Sequence, residues 1–389
     1  MRTLIFHPAL APYRVDLFNE LATRMQLKVV FLNRNLVSQK LDQERLTRSL
    51  HCEHDFLCAG INIFGRQIRW GLAKTITGFK PDVVIGIEYS PTSLFIVLLK
   101  HLSRAQRWGF MVMTSDNIHM CSDVGLGRRL ARSIVLNCVD GIVVYSQAVK
   151  SWYVDYGIQD RSIGVCSNIQ REDRFRESCA QAQGIGNRIL HDRQLSGKRV
   201  VLCIGRLAAA KGVERVMTAF AQAYASTPDS RLVIVGTGPQ EARLHDMATE
   251  LLPDGSIIFT GHLEGPELYA WYGIGQALVL GSHFEPYGAV VAEALMAGIP
   301  VLCSSVAGAA DLIREWNGHL FDPHDVQTLA ELLVMTLSEI TPLQKTVPTS
   351  RPSLMPITFE DSVASFCQAV EYSATSARPT HNHSGWSRR

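Results

Sequence analysis

The chain has 389 residues, 47% of them hydrophobic and 19% charged, with a formal net charge of +2. That length exceeds one ordinary core and suits two domains, and the balance excludes a fibrous or wholly disordered protein. The charge is uneven: residues 1–190 hold 24 Lys and Arg against 16 Asp and Glu, and residues 191–389 hold 14 against 20, so the first half is suited to meet something anionic.

The first segment, MRTLIFHPALAPYR, contains a short apolar run broken by His7 and Pro8 and lacks the long apolar core of a signal peptide. TLIFH reads as a first strand, YRVDLFNELATRM as an amphipathic helix and LKVVFL as a second strand. DVVIGI follows. SLFIVLLKHL is the most membrane-like run, but Lys100 interrupts it well short of the ~18–20 residues that span a bilayer. GFMVM, DGIVVYS and SIGVC are further strands, separated by helical stretches. Near-continuous apolar strands between helices indicate a parallel sheet covered on both faces.

Residues 176–197 are polar and glycine-containing and read as a linker with some helix. At RVVLCIG the pattern restarts, and RLVIVG, SIIFT, ALVL and PVLCS are its strands. The chain therefore divides into residues 1–175, a linker over 176–197, and a second α/β domain over 198–340. Residues 341–372 read as a Pro- and Ser/Thr-rich loop and a last helix packing back on the first domain, with Thr358 as N-cap. A disordered tail over 373–389 is expected. Nine scattered cysteines without a CxxC read as reduced thiols in a soluble, cytoplasmic protein. Two doubly wound domains place ligands at the C-terminal ends of their strands, in a cleft between the domains.

Two groups of residues in the second half carry candidate chemistry. In CIGRLAAAKG a strand ends at Gly205, and Arg206 and Lys211 follow; such cations can clamp phosphate, or be solvated on a loop. In FEPYGAVVAEALMAGIP, Pro286 pushes Glu285 out of the helical region. The helix is expected to start near Pro286–Gly288 and end around Ala297, with Gly298 as its stop. Its first N–H groups, those of Tyr287, Gly288 and Ala289, suit an anion, and Gly288 lets a phosphate come close. Glu293 lies two turns in, on a helix with almost no polar face. The alternative is that Glu293 is merely solvated.

GRLAAAKG, VIVGTGP, FTGHL, HFEPYGAVVAEALMAGIPVLCSSVAG and NGHLFDPHD, in this order, resemble the C-terminal half of the retaining GT-B glycosyltransferases, the large family 4 type also called glycosyl transferases group 1. The resemblance is dense from Val200 to Asp325 and looser upstream. It implies an α/β chain of the GT-B fold, two doubly wound Rossmann-like domains facing a central cleft. It implies that Arg206 and Lys211 bind the diphosphate of a nucleotide-sugar donor. Glu293 holds the ribose, Glu285 contacts the transferred sugar, and the backbone over Tyr287, Gly288 and Ala289 helps with sugar and phosphates. Gly261, His262 and Leu263 lie near the base.

The same resemblance implies transfer with retention, without a catalytic metal or cofactor. The chain has no Asp-x-Asp to hold a divalent ion, and Arg206, Lys211 and a helix N-terminus can supply positive charge to the leaving diphosphate instead. The first domain departs from the commonest pattern, with HPALAPYR in place of a Gly-Gly loop. Arg14, Glu88 and His119 are candidates for the acceptor side, and Asp116, which follows a strand, is a candidate catalytic residue. SNIQREDRF keeps Asn168 and Phe175 of the family's pattern around the linker.

HLSRAQRWGF and GLGRRLARSIVL combine arginines with large apolar residues. They suggest peripheral contact with an anionic membrane at the inner face of the cell membrane, and a carbohydrate or lipid-linked acceptor used in cell-surface polysaccharide or glycolipid synthesis. Two other readings compete: a non-catalytic partner protein on the same fold, and a nucleotide-sugar epimerase. No recognition element for nucleic acid is visible.

Overall fold

A computed structural model describes residues 1–35, 43–63, 66–102, 107–122, 125–348 and 350–376. Of the tail expected over 373–389, residues 373–376 instead continue the last helix, and 377–389 lie outside the described residues. The chain folds as two units, one of residues 1–170 with 360–389, the other of residues 171–359.

The first unit runs β1 (Arg2–His7), α1 (Pro12–Arg24), β2 (Gln26–Phe31), α2 (Gln43–Arg48), β3 (Glu53–Phe56), β4 (Gly60–Ile63), β5 (Arg66–Arg69), α3 (Leu72–Phe79) and β6 (Val83–Ile87). It continues with α4 (Pro91–Leu102), β7 (Gly109–Met113), α5 (Ile118–Ser122), α6 (Leu126–Leu136), β8 (Gly141–Val144), α7 (Gln147–Asp155) and β9 (Ile163–Val165). Seven strands form one parallel sheet in the order β3-β2-β1-β6-β7-β8-β9, and β4 pairs with β5 as a small antiparallel hairpin. The central strands are buried along almost their whole length, which is why they read as unbroken apolar runs.

The second unit begins with α8 (Glu172–Gln181) and α9 (Gln183–Asp192), in the stretch read as a linker. Phe175 anchors α8 edge-on against Tyr269 and Tyr272, with ring centroids 5.6 and 5.4 Å apart. Arg176 donates to the carbonyls of Met296 and Arg351 at 3.1 and 2.8 Å. A few anchors, not a long apolar stripe, dock these helices, which is why the segment looks like a connection. There follow β10 (Arg199–Ile204), α10 (Val213–Tyr224), β11 (Ser230–Val235), α11 (Glu241–Leu251), β12 (Ile257–Gly261), α12 (Pro266–Ile274) and β13 (Ala277–Leu280). Then come α13 (Ala289–Met296), β14 (Val301–Ser304), β15 (Gly318–Phe321) and α14 (Val326–Glu339). The six strands form a parallel sheet in the order β12-β11-β10-β13-β14-β15. Helices α10 and α14 pack on it through Val216, Phe220, Leu329 and Leu333.

The last helix, α15 (Phe359–Ser376), belongs to the first unit from Glu360 on. The Val165 amide donates to Ser365 Oγ at 2.9 Å, and the Tyr372 hydroxyl donates to Gln159 at 2.6 Å. The nine cysteines form no disulfide.

Candidate functional site

In the second unit, β10 and β13 are neighbours at the point where the strand order reverses. Open α/β sheets bind ligands just beyond the C-terminal ends of such strands. Arg206 follows β10 and is exposed. A 3₁₀ turn, Ala209–Lys211, then ends at Gly212, which has φ 63° and starts α10. A Cβ there would stand 2.2 Å from the Gly281 carbonyl oxygen, so the loops after β10 and β13 meet at a contact only glycine allows. The Ala210 carbonyl closes the same junction by accepting from the amides of His283 and Phe284 at 3.0 and 3.3 Å.

Across this junction Lys211 Nζ pairs with Glu285 Oε2. Glu285 is only 7% exposed, and the Ser282 hydroxyl donates to the same carboxylate oxygen at 3.4 Å. The pairing matches a buried carboxylate with an ammonium that reaches solvent, which answers the desolvation of Glu285.

The helix that follows starts later than the sequence suggests. Gly288 has φ 95°, left-handed, and α13 begins at Ala289, so Tyr287 and Gly288 precede the helix instead of forming its first turn. A neighbouring segment holds them there: the Ala309 amide donates to the Tyr287 carbonyl at 2.7 Å. The helix end available to an anion therefore starts with the Ala289 and Val290 amides. About one turn on, Glu293 is half-buried and accepts from the Tyr272 hydroxyl at 2.5 Å. Burial pushes its carboxyl above the usual range, and the hydrogen bond from Tyr272 opposes that shift. Gly261, His262 and Leu263 sit at the end of β12, two strands from β10; Gly261 accepts from the Gly236 amide at 2.8 Å, and His262 is exposed and pairs with Glu264 at 2.9 Å.

The first unit has its own polar cluster at the C-terminal ends of β6, β7 and β8. Glu88 follows β6 with φ 46°, a conformation unusual for a residue with a Cβ. Its carboxylate accepts from the Ser115 hydroxyl and lies 3.7 Å from Arg128. Asp116 is buried. It accepts from Arg128 at 2.5 Å, from the Tyr153 hydroxyl at 2.8 Å and from Arg132 at 3.4 Å. Tyr153 also hydrogen-bonds Tyr89. Asp116 is thus a carboxylate that orients cations, while Glu88 is the more open of the two. Arg14 is not on the helix surface: it is 1% exposed, donates to the Tyr145 hydroxyl and stacks 5.0 Å from that ring. His119 is exposed, on α5 and not on a loop.

Sequence reasoning missed Ser115, Arg128, Arg132, Tyr145, Tyr153 and Tyr272. The i, i+4 spacing of Arg128 and Arg132 in GRRLAR was the available signal that two arginines share one inward face. Those two side chains meet Asp116, so of the three arginines in that helix only Arg129 is exposed.

Residues 189–344 match the family model described as glycosyl transferases group 1. The glycogen synthase of Mycobacterium tuberculosis is 31% identical over 218 residues, 53% of this chain and 52% of that protein. The chain thus spans about half the length of that curated relative. Among solved structures, Anabaena Alr3699/HepE in complex with UDP superposes with TM-score 0.68 at 17% identity, covering 97% of each chain. The lipopolysaccharide outer core galactosyltransferase WaaB does so with TM-score 0.65 at 18% identity, covering 95% of this chain and 99% of its own. The fold of this chain is the GT-B fold of glycosyltransferases, and its second unit carries the segment that matches glycosyl transferases group 1.

Proposed function

We propose that the protein is a glycosyltransferase that moves a sugar from a nucleotide-diphosphate sugar to a carbohydrate or lipid-linked acceptor, with retention of configuration. The observation that carries this reading is the Lys211–Glu285 pair at the strand-order reversal of the second unit, beside the N-terminus of α13. Sugar and diphosphate would both find their partners there. Lys211 and the exposed Arg206 supply cations, the first amides of α13 supply dipoles, and Glu285 offers hydroxyl-binding oxygens. Glu293 takes the ribose, and Gly261, His262 and Leu263 border the base.

Breaking the glycosyl–phosphate bond leaves negative charge on the diphosphate. Lys211, Arg206 and the helix end stabilise it where it develops, which lowers the barrier without a bound metal. The departing phosphate oxygen accepts the acceptor's proton as the new bond forms on the same face of the sugar. In the first unit Glu88 and the exposed His119 address the acceptor, the buried Arg14 acts only through Tyr145, to which it donates, and Asp116 acts through Arg128, which it holds beside Glu88. The structural relatives support this reading in kind: one holds UDP, and another is named for the lipopolysaccharide outer core. The basic first half supports placing this reaction in a cell-surface polysaccharide or glycolipid pathway at the inner face of the membrane.

The test is a thermal-shift screen against uridine, guanosine and adenosine diphosphate sugars. One of them raises the melting temperature of the wild type and fails to do so for Lys211→Ala. If none stabilises the wild type, the donor assignment is wrong.

A further inference from the structure

Helices α4 and α6 follow neighbouring parallel strands, pack on each other, and bury Ile96, Val97, Ala131 and Val135 in one core. Their outer faces are also apolar. Phe95, Leu98 and Leu102 recur at i, i+3 and i+7 on α4, and Leu126, Leu130 and Ile134 at i, i+4 and i+8 on α6, all exposed. Leu126 is 84% exposed, Leu102 69% and Leu130 64%. Singly exposed leucines need no explanation; two adjacent stripes of large apolar side chains on a solvent-facing surface do.

The charge around the stripes is of one sign. Neither helix contains Asp or Glu. Arg129 stands exposed between Leu126 and Leu130, and His101 and Arg107 are exposed at and beyond the end of α4. Lys100 is not part of this rim, because it pairs with Asp140. Arg128 and Arg132 are turned inward to Asp116. A second copy seated on this face would bring like charges together with no carboxylate from either helix to match them. Apolar side chains beside cations are instead the composition of helices that lie in the interface of an anionic bilayer. Among the described residues no helix is long and apolar enough to cross a membrane.

We infer that the α4–α6 face is a docking surface for an anionic lipid bilayer. The inference rests on the proposed function in one respect: it gives the acceptor side a lipid surface to work on. Helix α6 joins the two. Its outer side chains enter the interface, and its Arg128 holds Asp116 and Glu88. Docking thus brings the acceptor-side carboxylates to the bilayer, where the head group of a lipid-linked acceptor is presented.

Flotation of the full chain with vesicles tests this without any nucleotide sugar, so its outcome is separate from that of the thermal-shift screen. The wild type floats with vesicles of equal parts phosphatidylcholine and phosphatidylglycerol at low salt, and less at high salt. It does not float with phosphatidylcholine alone. The Leu126→Glu/Leu130→Glu variant binds roughly tenfold or more weakly, because two apolar side chains no longer enter the interface. Arg129→Glu, which leaves the apolar stripe intact, weakens binding to the anionic vesicles. Failure of the wild type to float at low salt overturns the inference. So does unchanged binding of the double variant, or a stable dimer in light scattering that the double variant dissociates.

Discussion

Lys211 and Glu285, 74 residues apart in sequence, are ion-paired across the loops that follow two adjacent parallel strands. Each holds the other in place beside the first turn of α13, so the cation is already positioned for the diphosphate proposed to bind there. Lys211→Ala is expected to reduce turnover by roughly a hundredfold or more, the usual cost of removing a charge stabiliser from a transition state. It also leaves Glu285 without its cation, with a stability loss of about 1–3 kcal/mol in urea unfolding. The Lys211→Ala/Glu285→Ala variant recovers part of that stability and none of the activity. Near-normal turnover in Lys211→Ala would refute the phosphate-clamp role.

Glu293 offers a separate test, because its functional and structural preferences oppose each other. Burial raises its carboxyl above the ordinary range in the folded state. Above its unfolded value, the folded protein keeps a proton that the unfolded chain releases, so this group's contribution to stability falls as pH rises through that window. Glu293→Gln removes the titration and still accepts from Tyr272. It is expected to melt higher than wild type at neutral pH, with the advantage disappearing in acid. If Glu293 holds the ribose, the same change weakens donor binding by about tenfold. A variant that gains stability and binds the donor as before would remove Glu293 from the site.

The parts of the molecule that were legible in the sequence are those where one physical cause dominates. Strands such as GFMVM and LVIV are buried on both faces and stand out as apolar runs. The edge strand β3, Glu53–Phe56, alternates exposed and half-buried residues and carries two acids, so it does not read as a strand; nor do the β4–β5 hairpin and β15. The donor-side candidates were legible because Arg206, Lys211 and Glu285 lie in the loops just past two strand ends, Glu293 is a carboxylate on an otherwise apolar helix, and the order of these motifs resembles that of a known family. Their partners were not. Tyr272 reaches Glu293 from a different helix, and Tyr153 reaches Asp116 from α7. Only tertiary packing makes such pairs. The late start of α13 depends on a backbone contact from Ala309, which no local rule on FEPYG could supply.

The left-handed backbone of Glu88 predicts an unusual order among its own variants. With φ 46°, any residue bearing a Cβ is strained there, and glycine is not. Glu88→Gly should therefore be more stable than Glu88→Ala by about 1 kcal/mol, although glycine ordinarily costs stability. Both variants lose the carboxylate that meets Ser115 and Arg128, so both should lose acceptor use equally. Denaturant midpoints read the first expectation, and acceptor KM and kcat the second. An alanine variant more stable than the glycine variant would contradict the strained conformation.

His7 gives a pH dependence separate from that of the donor-side candidates. It ends β1, donates through Nδ1 to the Ala9 carbonyl at 2.8 Å and lies edge-on to Phe18 and Phe31 at 5.4 and 6.2 Å. Burial first, and the Arg14 charge second, lower its pKa from 6.5 to about 3. The unfolded chain takes up a proton as pH falls below its ordinary value, and the folded protein does not. Stability from this group is therefore complete above the unfolded pKa and is lost as pH falls toward the folded one. Between neutral pH and pH 5 the loss is about 2 kcal/mol. His7→Gln keeps a donor for the Ala9 carbonyl and does not titrate, so its stability should fall less steeply with acid. Urea unfolding of both proteins across this range reads the difference. Parallel curves for the two would show that His7 is protonated in the folded protein as readily as in the unfolded chain.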